Sequence, residues 1–189
     1  MMIRRFVSFL PGAALCAGLL LHPLVRAQNA PTASAPEVKA ELPDARVLGA
    51  ARMRFFGMDI YDARLFAPAL KRSDYTATPF ALEVQYLRSF DGSSIAERSL
   101  KEMRRVGSIS PEKEKTWLDA MRHAFPDVKS GDRITGVHKP GIGARFFVNG
   151  LARASIDDPE FSRYFFGIWL GPNTSEPKMR NDLLAGASD

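Results

Sequence analysis

The sequence predicts an α+β fold in which an antiparallel sheet is covered on one face by helices. Three observations lead to this prediction. Segments typical of strands open the domain, two segments with helical periodicity follow, and strands then return before a final apolar helix. Parallel βαβ units would alternate strand and helix more regularly, so a sheet with helices packed on one face fits this order better.

Three strands are predicted in the first half of the domain. Residues 46–56 and 58–66 form two strand-like runs, joined near Gly57. Residues 80–87 alternate between apolar and polar side chains. A two-residue period is the pattern of a half-buried strand.

The middle of the chain changes to a helical period. Residues 94–97 match a capping box, which predicts the start of a helix that ends at Gly107. Ser110 followed by Pro111 predicts a second helix, with serine as the cap and proline in the first turn. This helix is expected to stop just before Pro126.

Strands are predicted again at residues 133–138, 145–148 and 151–156. Asn149 and Gly150 lie between the last two, and this dipeptide is a strong signal for a two-residue hairpin. The late strands are therefore expected to extend the antiparallel sheet.

A third helix is predicted to begin at Asp158 and Pro159 and to end at Gly171. Its side chains are apolar nearly all round, which indicates deep burial. A short last helix is expected at about residues 176–184.

The N-terminus has the pattern of a secretory signal peptide. Arg4 and Arg5 precede an apolar run over residues 6–21, and small residues precede a cleavage site after Ala27. The run is shorter than a membrane-spanning helix needs. We therefore expect a periplasmic or secreted protein with no stable membrane span after cleavage.

The expected organisation has three parts. Residues 1–27 form the signal peptide, and residues 28–44, rich in Ala, Pro, Ser and Thr, form a flexible leader. Residues 45–186 form one domain, long enough for a single core.

Signal removal would also change the chemistry of the chain. The single cysteine, Cys16, would leave with it, and so would Arg4, Arg5 and Arg26. The sequence has 26 basic and 21 acidic residues, so a net charge of +2 would remain. This composition excludes thiol chemistry from the mature protein. A net charge this close to zero also argues against nucleic-acid binding.

Few residues suggest catalysis or metal binding. His123 and His138 are fifteen residues apart, and both are expected at the surface. The chain has no Gly-x-Ser-x-Gly elbow, and no cluster has metal-ligand spacing. We therefore expect no cofactor and no metal.

Arginines are the candidates for ligand binding. Arg52 and Arg54 share one face of an otherwise apolar strand, and Arg98 borders the apolar face of its helix. A buried guanidinium requires an acceptor. Glu102, one turn after Arg98, could supply it, and so could the carboxylate or phenolate of a ligand.

Several segments resemble the chalcone isomerase-like family, particularly its bacterial branch. The resemblance is carried by the order and spacing of residues 48–52, 60–65, 96–103, 135–138, 146–150 and 165–170. It implies an open-faced β-sandwich with a ligand cleft between sheet and helices. Plant members of this family close a flavanone ring from a chalcone, and other members bind fatty acids without catalysis.

The resemblance also implies roles for particular residues. Arg52 corresponds to the catalytic arginine of the plant enzymes, and Ser162 to a small hydroxyl residue on the late helix. The strand threonine of the enzymes corresponds to Phe56, and their helix asparagine to Arg98. The tyrosine before the helix falls near Phe90 or Asp91, so three of the five polar positions differ.

We therefore expect a non-catalytic domain that binds a fatty acid or a similar small amphipathic or aromatic ligand. The expected ligand-binding residues are Arg52, Arg54, Tyr61, Arg98 and Ser162. One alternative is an isomerase or intramolecular lyase acting on a chalcone-like enone, with Arg52 as the electrophile. The other is an envelope protein-interaction module whose cleft is filled by Phe and Trp side chains and in which Arg98 is paired with Glu102.

Overall fold

A computed structural model describes residues 35–189. The expected signal peptide, Cys16 and the first part of the expected leader lie outside the described residues. No helix among residues 35–189 is both long and apolar enough to cross a membrane.

The described domain is built on one antiparallel sheet of six strands, in which each strand pairs with the next along the chain. The prediction of an α+β fold with an antiparallel sheet is confirmed. The strands are β1 (Arg46–Phe55), β2 (Met58–Ala67), β3 (Phe80–Tyr86), β4 (Arg133–Lys139), β5 (Gly143–Val148) and β6 (Leu151–Ile156).

Both hairpin turns at the two ends of the sheet use two residues with positive φ. Asn149 and Gly150 join β5 to β6 with φ values of 50° and 88°, as the sequence predicted. Phe56 and Gly57 join β1 to β2 with φ values of 47° and 77°. This conformation suits Asn and Gly, whereas phenylalanine adopts it at an energetic cost.

Two helices lie between β3 and β4, and two more follow β6. All four contribute residues to the main core. They are α2 (Gly92–Val106), α3 (Pro111–Ala124), α4 (Pro159–Leu170) and α5 (Pro177–Leu183). The predicted caps of α3 and α4 are confirmed, because Ser110 accepts a hydrogen bond from Lys113 N and Asp158 accepts from Glu160 N and Phe161 N.

The predicted capping box at residues 94–97 is wrong. The helix begins at Gly92, three residues earlier than a cap at Ser94 would give, and the Asp91 side chain makes no capping hydrogen bond. The backbone N–H of Gly92 donates instead to the carboxylate of Asp127, 35 residues further along the chain. A tertiary contact therefore supplies the acceptor that the local pattern assigned to Ser94.

The main core lies between α2–α5 and one face of the sheet, called here the helix face. Ala63, Leu65 and Phe146 are buried on this face. Helix α4 contributes the largest aromatic cluster, and Phe165 packs edge to face on Phe146 with ring centroids 5.2 Å apart. The predicted deep burial of this helix is confirmed, and its C-terminal end lies at the candidate site.

A short helix, α1 (Pro36–Glu41), packs on the opposite, outer face of the sheet. Val38 is fully buried there against Phe66, Ala81 and Val137. The prediction of a flexible leader is therefore wrong for residues 36–41. The segment folds because it covers apolar side chains on the outer face of the sheet. Its own composition gives no indication of this contact.

Ion pairs hold α1 in place over the sheet. Glu37 is buried, accepts from the hydroxyl of Thr135 at 2.8 Å, and pairs with Arg133 at 3.1 Å. At the other end of the helix, Glu41 pairs with Lys139 and Arg145 at 2.8 Å each. Charged and apolar contacts thus both attach the segment before β1 to the domain.

Candidate ligand-binding cavity

A cavity of about 220 Å³ lies between the helix face of the sheet and the helices, near the β1–β2 turn. Strands β1 and β2, helices α2 and α4, and the start of α5 all contribute to its wall. Its apolar lining is Met53, Phe55, Ile60, Phe90, Ile168, Trp169 and Met179, and its polar lining is Tyr61, Arg98, Ser99, Glu102, Ser175 and Glu176.

A smaller space of about 40 Å³ lies beyond the first, deeper in the core. Ser99 and Trp169 line both spaces. The Trp169 ring packs edge to face on Phe165, with centroids 5.5 Å apart. Trp169 and Ser99 therefore lie between the two spaces.

Tyr61 offers a hydrogen-bond donor to the cavity. Its hydroxyl oxygen accepts from Trp169 Nε1 at 2.9 Å, and no acceptor for its own hydrogen is found among residues 35–189. Burial raises the pKa of Tyr61 to about 12. The side chain therefore remains protonated at neutral pH and can donate to a ligand oxygen.

Arg98 is the cation of the cavity wall, and it is paired with Glu102. Arg98 Nη2 lies 2.9 Å from Glu102 Oε1, one of the two acceptors that the sequence left open, and the hydroxyl of Ser175 donates to Glu102 Oε2 at 2.9 Å. The Glu102 side chain is only 11% exposed, whereas that of Arg98 is 55% exposed. A guanidinium has five N–H donors, so Arg98 keeps donors for a ligand at the cavity mouth.

The remaining charges near this end balance each other. Arg105 lies 3.7 Å from the second oxygen of Glu102, and Glu176 is half-buried in the cavity wall. Two arginines therefore face two carboxylates. Glu102 has both arginines and a hydroxyl as partners, and Arg98 is the more exposed member of its pair with Glu102.

Arg52 and Arg54 do not reach the cavity. Successive side chains of a strand point to opposite faces, and their neighbour Met53 points into the cavity. On the outer face, Arg52 forms two parallel hydrogen bonds to Asp62, at 2.6 and 2.8 Å, and one to Asp59 at 2.9 Å. Arg54 pairs with Asp59 at 2.7 Å.

These ion pairs occupy three of the five N–H donors of Arg52. The hydrogen bond to Asp62, followed by the charge of that residue, raises the pKa of Arg52 above its usual value. The hydrogen bond from Arg54 lowers the pKa of Asp59. Both arginines are thus part of an exposed charge cluster on the side of the sheet opposite the cavity.

Ser162 also lies away from the cavity, where it contacts a histidine. Its hydroxyl oxygen is 2.7 Å from His138 Nδ1, and His138 Nε2 is 3.0 Å from the carbonyl oxygen of Thr76. A carbonyl only accepts, so Nε2 carries the hydrogen and Ser162 donates to Nδ1. The pair connects α4 to β4 and to the loop that contains Thr76.

The prediction that His138 lies at the surface is wrong. The ring is buried and stacks on Phe80, with centroids 4.9 Å apart. Strand β4 continues to Lys139, and α4 covers His138, so a position that looked terminal in the sequence is enclosed. Burial lowers the pKa of His138, which keeps the ring neutral at neutral pH. His123 is exposed, as predicted.

The structure thus brings together two of the five predicted site residues, Tyr61 and Arg98. It adds Trp169, Glu176 and Ser175, which the sequence reasoning did not single out as site residues. Trp169 carries the one available signal, because a buried indole N–H requires an acceptor. No group of three or more potential metal ligands occurs in the described part of the chain.

The comparisons with known proteins agree with this architecture. A model of the chalcone isomerase-like family matches residues 44–185, which is most of the chain. The chain belongs to the chalcone isomerase-like family. An uncharacterized protein of Haemophilus influenzae is 28% identical over 106 residues, a match that covers 56% of this chain and 52% of the relative. The matched segment thus spans about half the length of that relative.

A crystal structure of a fatty-acid binding protein of Arabidopsis thaliana, AtFAP1, has a similar fold. The TM-score is 0.58 at 15% sequence identity, and the match covers 75% of this chain and 87% of the plant protein. Together with the six-stranded sheet and the helices on its helix face, this likeness confirms the predicted open-faced, chalcone isomerase-like fold.

Proposed function

We propose that this chalcone isomerase-like domain binds a small amphipathic anion, such as a fatty acid, and does not catalyse a reaction on it. The observation that carries the proposal is the cavity itself. Its wall is mainly apolar, and it has one exposed guanidinium, that of Arg98, and one unused hydroxyl donor, that of Tyr61. An acyl chain fits the apolar part, and a carboxylate fits the two donors.

The volume restricts the size of the ligand. Cavities that enclose drug-sized ligands measure roughly 300–1,000 Å³. The cavity of about 220 Å³ is smaller, and at roughly 30 Å³ each it would hold about seven water molecules. A long acyl chain would be enclosed only in part, so we propose a short or medium chain as the preferred ligand.

The binding energy has two sources. Each buried methylene contributes about 0.8 kcal/mol. A hydrogen bond from a charged group such as Arg98 contributes about 1.5–3 kcal/mol. After the cost of association is subtracted, these contributions correspond to affinities in the micromolar range or weaker.

The geometry does not favour the isomerase alternative. Arg52, which the resemblance assigns as the electrophile, is on the outer face and holds Asp59 and Asp62. Tyr61 stays protonated and cannot act as a base at neutral pH. The interaction-module alternative is favoured by the pairing of Arg98 with Glu102, but side chains do not fill the cavity.

The fold comparison supports a binding role as well. The plant protein with a similar fold is named as a fatty-acid binding protein.

We also propose that the domain acts in the periplasm or outside the cell, on the basis of the signal-peptide pattern in residues 1–27. Fractionation and N-terminal sequencing of the protein expressed from its full gene test this location, and an intact N-terminus in the cytoplasm would contradict it.

Native mass spectrometry and calorimetry test the binding proposal. The purified protein is titrated with saturated fatty acids of increasing length, and with the corresponding alcohols to isolate the effect of the carboxylate. We expect one bound molecule per chain and weaker binding of the alcohols. Neither co-purified ligand nor measurable binding of any chain length would refute the proposal.

A further inference from the structure

The β1–β2 turn exposes a group of large apolar side chains beside the cavity. Phe55, Phe56 and Met58 are 47%, 87% and 42% exposed, and this group is called here the apolar tip. The rings of Phe55 and Phe56 pack edge to face, with centroids 4.4 Å apart. Phe55 also lines the cavity, whereas Phe56 and Met58 do not, so the apolar tip lies beside the cavity without enclosing it.

The conformation of Phe56 needs an explanation that the fold does not supply. Its φ of 47° is one that a bulky residue adopts only with strain, and asparagine would fit the turn better. The side chain gains little burial in return. Strain that is retained at an exposed position indicates a role in contacts outside the domain.

The charges next to the apolar tip are mainly basic. Three exposed arginines and one carboxylate line a groove there, whose lining is Arg52, Arg54, Gly57, Asp59, Leu87 and Arg88. Arg54 shares Asp59 with Arg52, and Arg88 has no ion pair among residues 35–189. Apolar rings flanked by arginines are the combination found where proteins contact an anionic lipid surface.

We infer that the apolar tip inserts into the surface of a lipid bilayer and so places the mouth of the cavity at the source of its ligand. This inference rests on the proposed function, because an amphipathic anion partitions into bilayers. A second copy of the chain is a poorer occupant. The three side chains expose roughly 350 Å² at about 200 Å² each, well below the roughly 800 Å² per partner of a standard interface.

Tryptophan placed at the tip gives a local measurement of insertion. In the full chain, Phe56→Trp is compared with Leu151→Trp, because Leu151 is also apolar, 75% exposed and next to a two-residue turn. Both variants keep the two native tryptophans and are otherwise identical to the wild-type protein, so only the probe position differs. The probe surface is phosphatidylcholine vesicles with and without phosphatidylglycerol, brominated on their acyl chains.

We expect quenching by bromine and a blue shift of emission for Phe56→Trp, at least twofold greater than for Leu151→Trp, and greater still with phosphatidylglycerol. Phe56→Asn, which fits the turn, should reduce vesicle binding at least threefold, whereas Leu151→Asn should not. Equal quenching at the two positions, or a tip substitution that changes the oligomeric mass, would overturn the inference.

Ligand binding in vesicle-free solution separates this inference from the proposed function. Wild type and Phe56→Asn should bind a medium-chain fatty acid in solution with the same affinity. Binding in solution without tip insertion overturns the inference alone. Insertion without any fatty-acid binding overturns the proposed function, and with it the inference that the tip places the cavity at the source of its ligand.

Discussion

Trp169 is expected to set the longest acyl chain that the domain accommodates. Its ring separates the cavity of about 220 Å³ from the deeper space of about 40 Å³. Replacement by phenylalanine leaves a smaller ring and joins the two spaces. The same change removes the donor to Tyr61, which should lower the free energy of unfolding by about 1 kcal/mol.

The magnitude of the effect on binding follows from the added space. The deeper space and the missing part of the indole together accept about one or two methylene groups, each worth about 0.8 kcal/mol. This corresponds to about a fourfold decrease in Kd for each added methylene. Wild type and Trp169→Phe should therefore bind short chains alike, and only the variant should gain affinity beyond the wild-type optimum.

Calorimetry with a series of saturated fatty acids measures this shift. Trp117→Phe is the matched control, because Trp117 is also an α-helical tryptophan whose Nε1–H is bonded, to Asp158 at 2.8 Å, and it lies outside the cavity. The control should lose stability and keep the wild-type optimum. The same optimal chain length in wild type and Trp169→Phe would refute the claim that Trp169 separates the two spaces.

Two further predictions concern stability. Gly49→Ala should lower the free energy of unfolding by at least about 2 kcal/mol in urea denaturation, because a Cβ would lie 2.2 Å from the carbonyl oxygen of Asp182 at the end of α5; an unchanged midpoint would contradict the close packing. Asp158→Ala should cost about 2–3 kcal/mol at pH 7, since it removes a helix cap and the acceptor of Trp117. Burial alone raises the pKa of Asp158, but hydrogen bonds from Phe161, Trp117 and Glu160 lower it overall. The stabilisation by the carboxylate is therefore complete above about pH 4 and lost as the pH falls below it. The loss of stability in acid should be smaller in the variant than in wild type, and equal acid sensitivity would contradict this assignment.

Most of the fold could be predicted because its signals are local. The Asn149–Gly150 turn, the caps at Ser110 and Asp158, and the apolar character of α4 each act within a few residues. The start of α2 and the helix α1 could not be predicted in this way. Gly92 is held by Asp127, and Val38 is buried on the outer face of the sheet, so both depend on contacts distant in sequence.

The site was harder to predict because strand side chains alternate between faces. The sequence showed that Arg52 and Arg54 share a face, but not that Met53 faces the cavity instead. A shift of one residue exchanges the two faces of a strand, and β1 contains two irregularities in its pairing. Arg98 was easier to place, because the helical period of α2 puts it beside the buried positions.

The most direct test of the central claim compares two arginines on the two sides of the sheet. Calorimetry with a medium-chain fatty acid is performed on wild type, Arg98→Met and Arg52→Met. Arg98→Met should weaken binding by about 1.5–3 kcal/mol, or at least tenfold, because it removes a charged donor at the cavity mouth. Arg52→Met should bind as wild type does. Loss of binding in Arg52→Met with full binding in Arg98→Met would contradict the account.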